Sequence, residues 1–140
     1  MATSTAEFNE ILLDLKLSES WEQKNGSWWG TMAKAGVRPA ASRMLAENAR
    51  LITLAATELP SHELRMDYHW DLGSQVVTLS TMADGKLIDS IADICPAADW
   101  AEREIHEYFA VEFPGRVDTM PLMLRMGDEI GINLHKGGTE

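Results

Sequence analysis

One cysteine, Cys95, stands in 140 residues. No internal disulfide can form, and no cysteine cluster exists to hold zinc or an iron–sulfur centre. Positive charge is also scarce: 12 Lys and Arg against 22 Asp and Glu leave a net charge of −10, with no basic cluster longer than a pair. That excludes nucleic acid as a partner and excludes simple electrostatic attachment to anionic lipid. No run approaches the roughly twenty apolar residues that span a bilayer, so no direct membrane span is expected. The first residues, Met1-Ala-Thr-Ser-Thr-Ala-Glu7, lack a basic region followed by an apolar one, which reads as cytoplasmic rather than secreted. There is no Gly-rich phosphate loop, no Gly-x-Ser-x-Gly and no Walker motif. The four histidines, His62, His69, His106 and His135, form no HxH or HxxxH pair. No catalytic, cofactor-binding or metal site is therefore assigned.

What is present is periodicity. A hydrophobic content of 45% in one chain of this length supports a single domain over 1–140 with one core. Ser4 and Glu7 form a capping box, and Phe8, Ile11, Leu12 and Leu15 follow at helical spacing, predicting a helix over about residues 5 to 17. Asn25-Gly26 predicts a hairpin joining a short strand near Trp21 to one from Ser27 to Ala33. Trp28 and Trp29, being adjacent, must face opposite sides of that strand. The less buried one is either an edge aromatic over the core margin or a docking surface, since tryptophan is enriched at interface hot spots. Pro39 suits a first helical turn, followed by Ala40 to Ala49. Leu51 to Thr57 reads as a strand or as an extension of that helix, and Pro60 ends it.

Glu63 to Leu72 alternates throughout: Leu64, Met66, Tyr68, Trp70 and Leu72 on one face, Glu63, Arg65, Asp67, His69 and Asp71 on the other. Gly73-Ser74 and Asp84-Gly85 then turn the chain into strands at Gln75 to Ala83 and Lys86 to Ile91, a three-stranded meander. The fold class is α+β: two layers, a largely antiparallel sheet with helices mainly on one face. His69 between two aspartates is a conceivable cation site, but a solvated strand face is the simpler reading. Cys95, before Pro96 in apolar company, reads as an inert small hydrophobe.

After Pro96, Asp99 and Glu102 have capping-box spacing, opening a helix from 99 to 109 with Ala101, Ile105 and Tyr108 as its apolar stripe and Phe109 beside it. Arg103 and Glu107 stand four apart and can pair, and Val111 and Phe113 leave the helix extended before the Pro114-Gly115 turn. Local helix physics does not require Glu102-Arg103-Glu104 as a unit. Three consecutive charges point in three directions, so at least one points at the body of the protein or at a partner.

The pattern Asp99-Trp100-x-Glu102-Arg103-Glu104-x-x-Glu107-x-Phe109-x-Val111-x-Phe113-x-Gly115, with its lead-in from Ser90, resembles the signature of the C-type subunit family of respiratory complex I. That family includes counterparts in energy-converting membrane-bound nickel–iron hydrogenases. The departures are Ala110 for the usual Gly, Glu107 for the commoner Asp, and Arg116-Val117 for His-Pro. The resemblance implies a non-catalytic structural subunit of the hydrophilic arm of a membrane redox complex. It would pack against the large hydrogenase-like, D-type subunit beside iron–sulfur subunits. Iron–sulfur clusters, and nickel–iron in the hydrogenase case, would be held by those partners and none by this chain. The location implied is peripheral, on the inner face of the cell membrane, with the departures leaning toward the hydrogenase branch. The partner interface implied comprises Glu102, Arg103, Glu104, Glu107, Phe113, Gly115, Arg116, Met123 and Arg125. Met120, Met123 and Met126 form either core filler or an adaptable contact surface, and the tail 127–140 is expected to be extended or mobile. Two other readings stand: a small acid/base enzyme using Glu102, Glu104 and His106, which needs all three in one cleft, and a stand-alone interaction module.

Overall fold

The structure is a computed structural model and describes residues 5–18, 21–32 and 36–115. Ser4, Arg116, the series Met120, Met123 and Met126, Arg125 and the tail 127–140 lie outside the described residues. The elements are α1 (Thr5–Leu15), β1 (Glu22–Lys24), β2 (Ser27–Thr31), α2 (Val37–Ala46), β3 (Arg50–Glu58), β4 (Leu64–Leu72), β5 (Gln75–Met82), a 3₁₀ turn at Pro96–Ala98 and α3 (Asp99–Phe109). The strands form one mixed sheet in the order β1-β2-β5-β4-β3. Three pairings are antiparallel, and β2 runs parallel to β5. The α+β class and the largely antiparallel sheet are as expected.

The turns follow from backbone chemistry. Asn25 and Gly26 both take positive φ, 53° and 78°, and so do Gly73 and Ser74 at 58° and 69°. Two consecutive left-handed residues give the hairpin turn whose twist matches the flanking strands. Accordingly Lys24 pairs with Ser27 and Leu72 with Gln75. Residues 50–58 are strand and not helix; a left-handed Asn48 (φ 64°) lies between α2 and β3.

One face of the sheet is the core. Trp28, Val77, Trp70 and Leu51 stand in one cross-strand row, and Leu79, Tyr68 and Leu54 in the next, all buried. Phe8 of α1 packs on Trp28 with ring centroids 5.7 Å apart, and the Trp28 indole N–H donates to Gln75 Oε1 at 3.0 Å. The opposite row holds Trp29, Thr78, His69 and Thr53. Trp29 is half-buried, edge-on to His69 with Lys24 above its ring, so the two tryptophans do face opposite sides. Their strand, however, is not an edge, because β1 lies outside it.

Three expectations need correction. Residues 86–91 are not a third meander strand. The edge of β5 they would pair with is occupied by β2, so Asp84 and Leu87 close a tight turn, and Leu87 bridges instead to Glu112. Asp99 is not the N-cap of α3. The 3₁₀ turn leads directly into the helix, Asp99 already has helical angles (φ −58°, ψ −50°), and Ala98 occupies the cap position. In α1, Phe8, Leu12 and Leu15 are buried, but Ile11 is 42% exposed.

Candidate interface with a partner protein

The sequence from Ile88 to Gly115 folds as one unit around Glu102. An amphipathic pattern with Ile105 buried beneath it sets α3 against the sheet, and this carries Glu102 inward with no exposure to solvent. Ser90 Oγ donates to Glu102 Oε1 at 2.7 Å, and the Ile91 amide donates to Oε2 at 2.8 Å. Ser90 Oγ in turn accepts from the Ala92 amide at 3.1 Å. A buried carboxylate is tolerated when both oxygens accept hydrogen bonds. Here those bonds fasten the first turns of α3 to the loop after β5.

Arg38 of α2 fastens the same loop from the other side. Its Nη1 donates to the Ser90 carbonyl at 2.7 Å, and its two terminal nitrogens grip Asp93 at 2.7 and 2.9 Å. That bidentate contact holds the Asp93 carboxyl below the usual range. Sequence reasoning missed Arg38. The available signal was a cation in the first turn of a helix, where the dipole disfavours it. Tyr68 lies under this network, 1% exposed; burial, reinforced by the nearby Glu102 and Asp89 charges, pushes its phenol up. Cys95 is buried too, and burial pushes its thiol up, which suits an unreactive core residue.

Beyond α3 the chain is tied back. Ala110 is left-handed at φ 58°, ψ 33°, and its amide bonds to the His106 carbonyl. The His106 ring Nδ1 donates to the Val111 carbonyl at 2.8 Å, and Lys86 Nζ donates to the Phe109 carbonyl at 2.8 Å. Glu112 exchanges backbone bonds with Lys86 and Ile88. Val111 and Phe113 are thereby buried.

The nine residues expected at a partner interface divide accordingly. Glu102, Glu107 and Phe113 are buried within the chain itself, Glu102 completely. Arg103 is half-buried and pairs with Asp99 one turn back, Nε to Oδ2 3.3 Å. Glu104 and Gly115 are exposed, Gly115 with φ 94°. Arg116, Met123 and Arg125 lie outside the described residues. Trp100, absent from those nine, is 71% exposed on the first turn of α3. A large aromatic that the fold leaves in water is the side chain most enriched at interface hot spots.

The acid/base alternative fails on geometry. Glu102 is enclosed with Ser90 and Ile91, Glu104 points to solvent, and His106 is engaged by Val111, so the three do not share a cleft. The polar face of β4 is not simply solvated. Asp67 is buried there, accepting from Ser80 Oγ at 2.6 Å and from Arg65 Nε at 3.1 and 3.2 Å, and His69 is bonded to Thr78 Oγ1 at 2.7 Å. Among the described residues no three His, Cys, Asp or Glu side chains converge as metal ligands, and no helix is long and apolar enough to cross a membrane.

Comparison with known proteins points one way. The family described as "Respiratory-chain NADH dehydrogenase, 30 Kd subunit" matches residues 31–134. The C-type subunit of NADH-quinone oxidoreductase from Rhodobacter capsulatus is 28% identical over 82 residues, covering 55% of this chain and 41% of the relative. The protein of the same description from Jannaschia sp. (strain CCS1) is 30% identical over 82 residues, covering 55% and 40%. The matched part is thus less than half the length of these relatives. A protein of the membrane-bound sulfane sulfur reductase, an archaeal respiratory membrane complex, shares the fold with a TM-score of 0.71 at 21% identity, covering 84% of this chain and 77% of that one. The trypsin-resistant fragment (1-134) of Nqo5 does so with a TM-score of 0.64 at 14% identity, covering 79% and 98%.

Proposed function

The chain belongs to the respiratory-chain NADH dehydrogenase 30 kDa subunit family, and from that membership we propose that it is a non-catalytic structural subunit of the hydrophilic arm of a complex I-like membrane redox complex. It packs against the large hydrogenase-like protein and supports it while electrons pass along iron–sulfur clusters held by other subunits. Attachment to the inner face of the membrane runs through those partners. The observation that carries this reading is the family match across residues 31–134. The exposed Trp100 and Glu104, on a helix whose inward Glu102 locks it in place, supply a rigid surface for the partner. Rigid presentation matters because an anchor already held in its bound geometry loses little freedom on docking.

Two branches of the complex fit, a quinone reductase and an energy-converting hydrogenase, and the composition of the purified assembly separates them. The test is affinity purification of the tagged chain from detergent-solubilised native membranes. The expected result is co-purification in fixed stoichiometry with a large hydrogenase-like protein and iron–sulfur proteins. Recovery of the chain alone, from membranes that retain an active redox complex, would overturn the proposal.

A further inference from the structure

β3 is the outermost strand of the sheet, nine residues long, and among the described residues no strand pairs with its outer edge. Its sequence, RLITLAATE, contains neither proline nor lysine, and its one irregularity, between Leu51 and Thr53, lies at the start of the strand and leaves 53–58 regular. Beside it runs an open groove of about 560 Å³. Residues 53–58 form one wall, and Glu104, Ile105, Tyr108 and Phe109 of α3 form the other. Trp100, Glu104 and Tyr108 recur every four residues, so an exposed aromatic continues the α3 wall by one further turn. Among the described residues the charged side chains lining the groove are Glu104 and Glu58, both acidic, Glu58 already meeting the His62 ring at 3.0 Å.

From this we infer that the outer edge of β3 and the groove beside α3 receive an extended basic segment of a neighbouring subunit, added to the sheet as a further strand. The inference rests on the reading of the chain as a subunit of a larger complex and names where and how one partner docks. An unpaired edge supplies alternating main-chain donors and acceptors, which bind any extended chain. The flanking wall supplies the selectivity, here for Lys or Arg opposite Glu104 and for apolar side chains against Ile105, Tyr108 and Phe109. A second copy of this chain is disfavoured because each copy carries a net charge of −10.

The test places a benzophenone amino acid at Thr57, exposed on the groove wall, and in a separate variant at Leu87, exposed and outside the groove. Each variant is irradiated within the complex purified from native membranes, and the linked peptide is sequenced. The expected result is a link from position 57 to a Lys- or Arg-containing segment of another subunit that position 87 does not reach. Glu104→Lys should lower that link by about tenfold or more while leaving the melting of the isolated chain unchanged. Links from position 57 to a second copy, or to residues 116–140 of the same chain, would overturn the inference. So would an intact complex with no link at position 57, which leaves the proposed function standing. Failure to find any complex overturns both.

Discussion

Glu102 is a carboxylate with no exposure to solvent whose oxygens accept from the Ser90 hydroxyl and the Ile91 amide. Removing it leaves the Ile91 amide and the Ser90 hydroxyl short of an acceptor in a buried place, and each orphaned group costs about 1–3 kcal/mol. Glu102→Ala should therefore destabilise the isolated chain by about 3 kcal/mol, read from denaturant midpoints, and Glu102→Gln should recover part of the loss. An unchanged midpoint in Glu102→Ala would mean the latch contributes nothing. Ala110 carries the opposite prediction. It sits in left-handed backbone at the end of α3, where a Cβ is unfavourable by about 1 kcal/mol and glycine is the common choice. Ala110→Gly, which restores the residue usual in the family signature, should raise stability by about that amount in a thermal melt. His69 gives a pH signature. Burial lowers its pKa below the ordinary 6.5, with the Asp67 charge opposing more weakly. Well above pH 6.5 the ring is neutral in both folded and unfolded chains and exerts no effect. As pH falls below that value the unfolded chain takes up the proton first, so stability declines until pH passes the lower folded value. Replacing His69 by Gln should remove that part of the acid dependence in melts across the range.

The elements are legible in the sequence where local pattern decides them, and obscure where a neighbour decides. Strict alternation locates β4 to within a residue, and the apolar stripe locates α3 over 99–109. Whether 86–91 pairs as a strand depends on β2, which arrives from 49 residues before its β5 partners to occupy the edge of β5. No local signal carries that. The three charges of α3 do point apart, but which one turns inward depends on Ser90 and Ile91 being within reach. The hydroxyl and the amide that satisfy Glu102 belong to the lead-in from Ser90, and no local pattern ties that stretch to Glu102. At Gly30 the constraint is also nonlocal. A Cβ built there would lie 2.8 Å from Ser18 Cβ and from Trp21 ring atoms. The position is not left-handed, so the demand is for space alone. Gly30→Ala should force the Trp21 ring away and cost about 1–3 kcal/mol, as overpacking does. Intrinsic fluorescence of the five tryptophans and a urea midpoint both report it, and a variant that matches the parent in both would show that the gap closes freely.

Seen whole, the molecule is an acidic sheet-and-helix body whose signature segment faces two ways. Inward, Glu102 with Ser90, Ile91 and Arg38 closes the loop after β5 onto α2 and α3. Outward, Trp100 and Glu104 stand on the surface, Glu104 across the groove from β3, whose outer edge no strand pairs among the described residues. On the proposed function the chain contributes shape and support, so its absence should be felt by the assembly of the complex. The most direct measurement of that claim removes the chain. Membranes from cells lacking it should contain no fully assembled redox complex and little of the corresponding activity, and expression of the intact chain should restore both. A complex that assembles to full size and turns over at the normal rate without the chain would contradict the account.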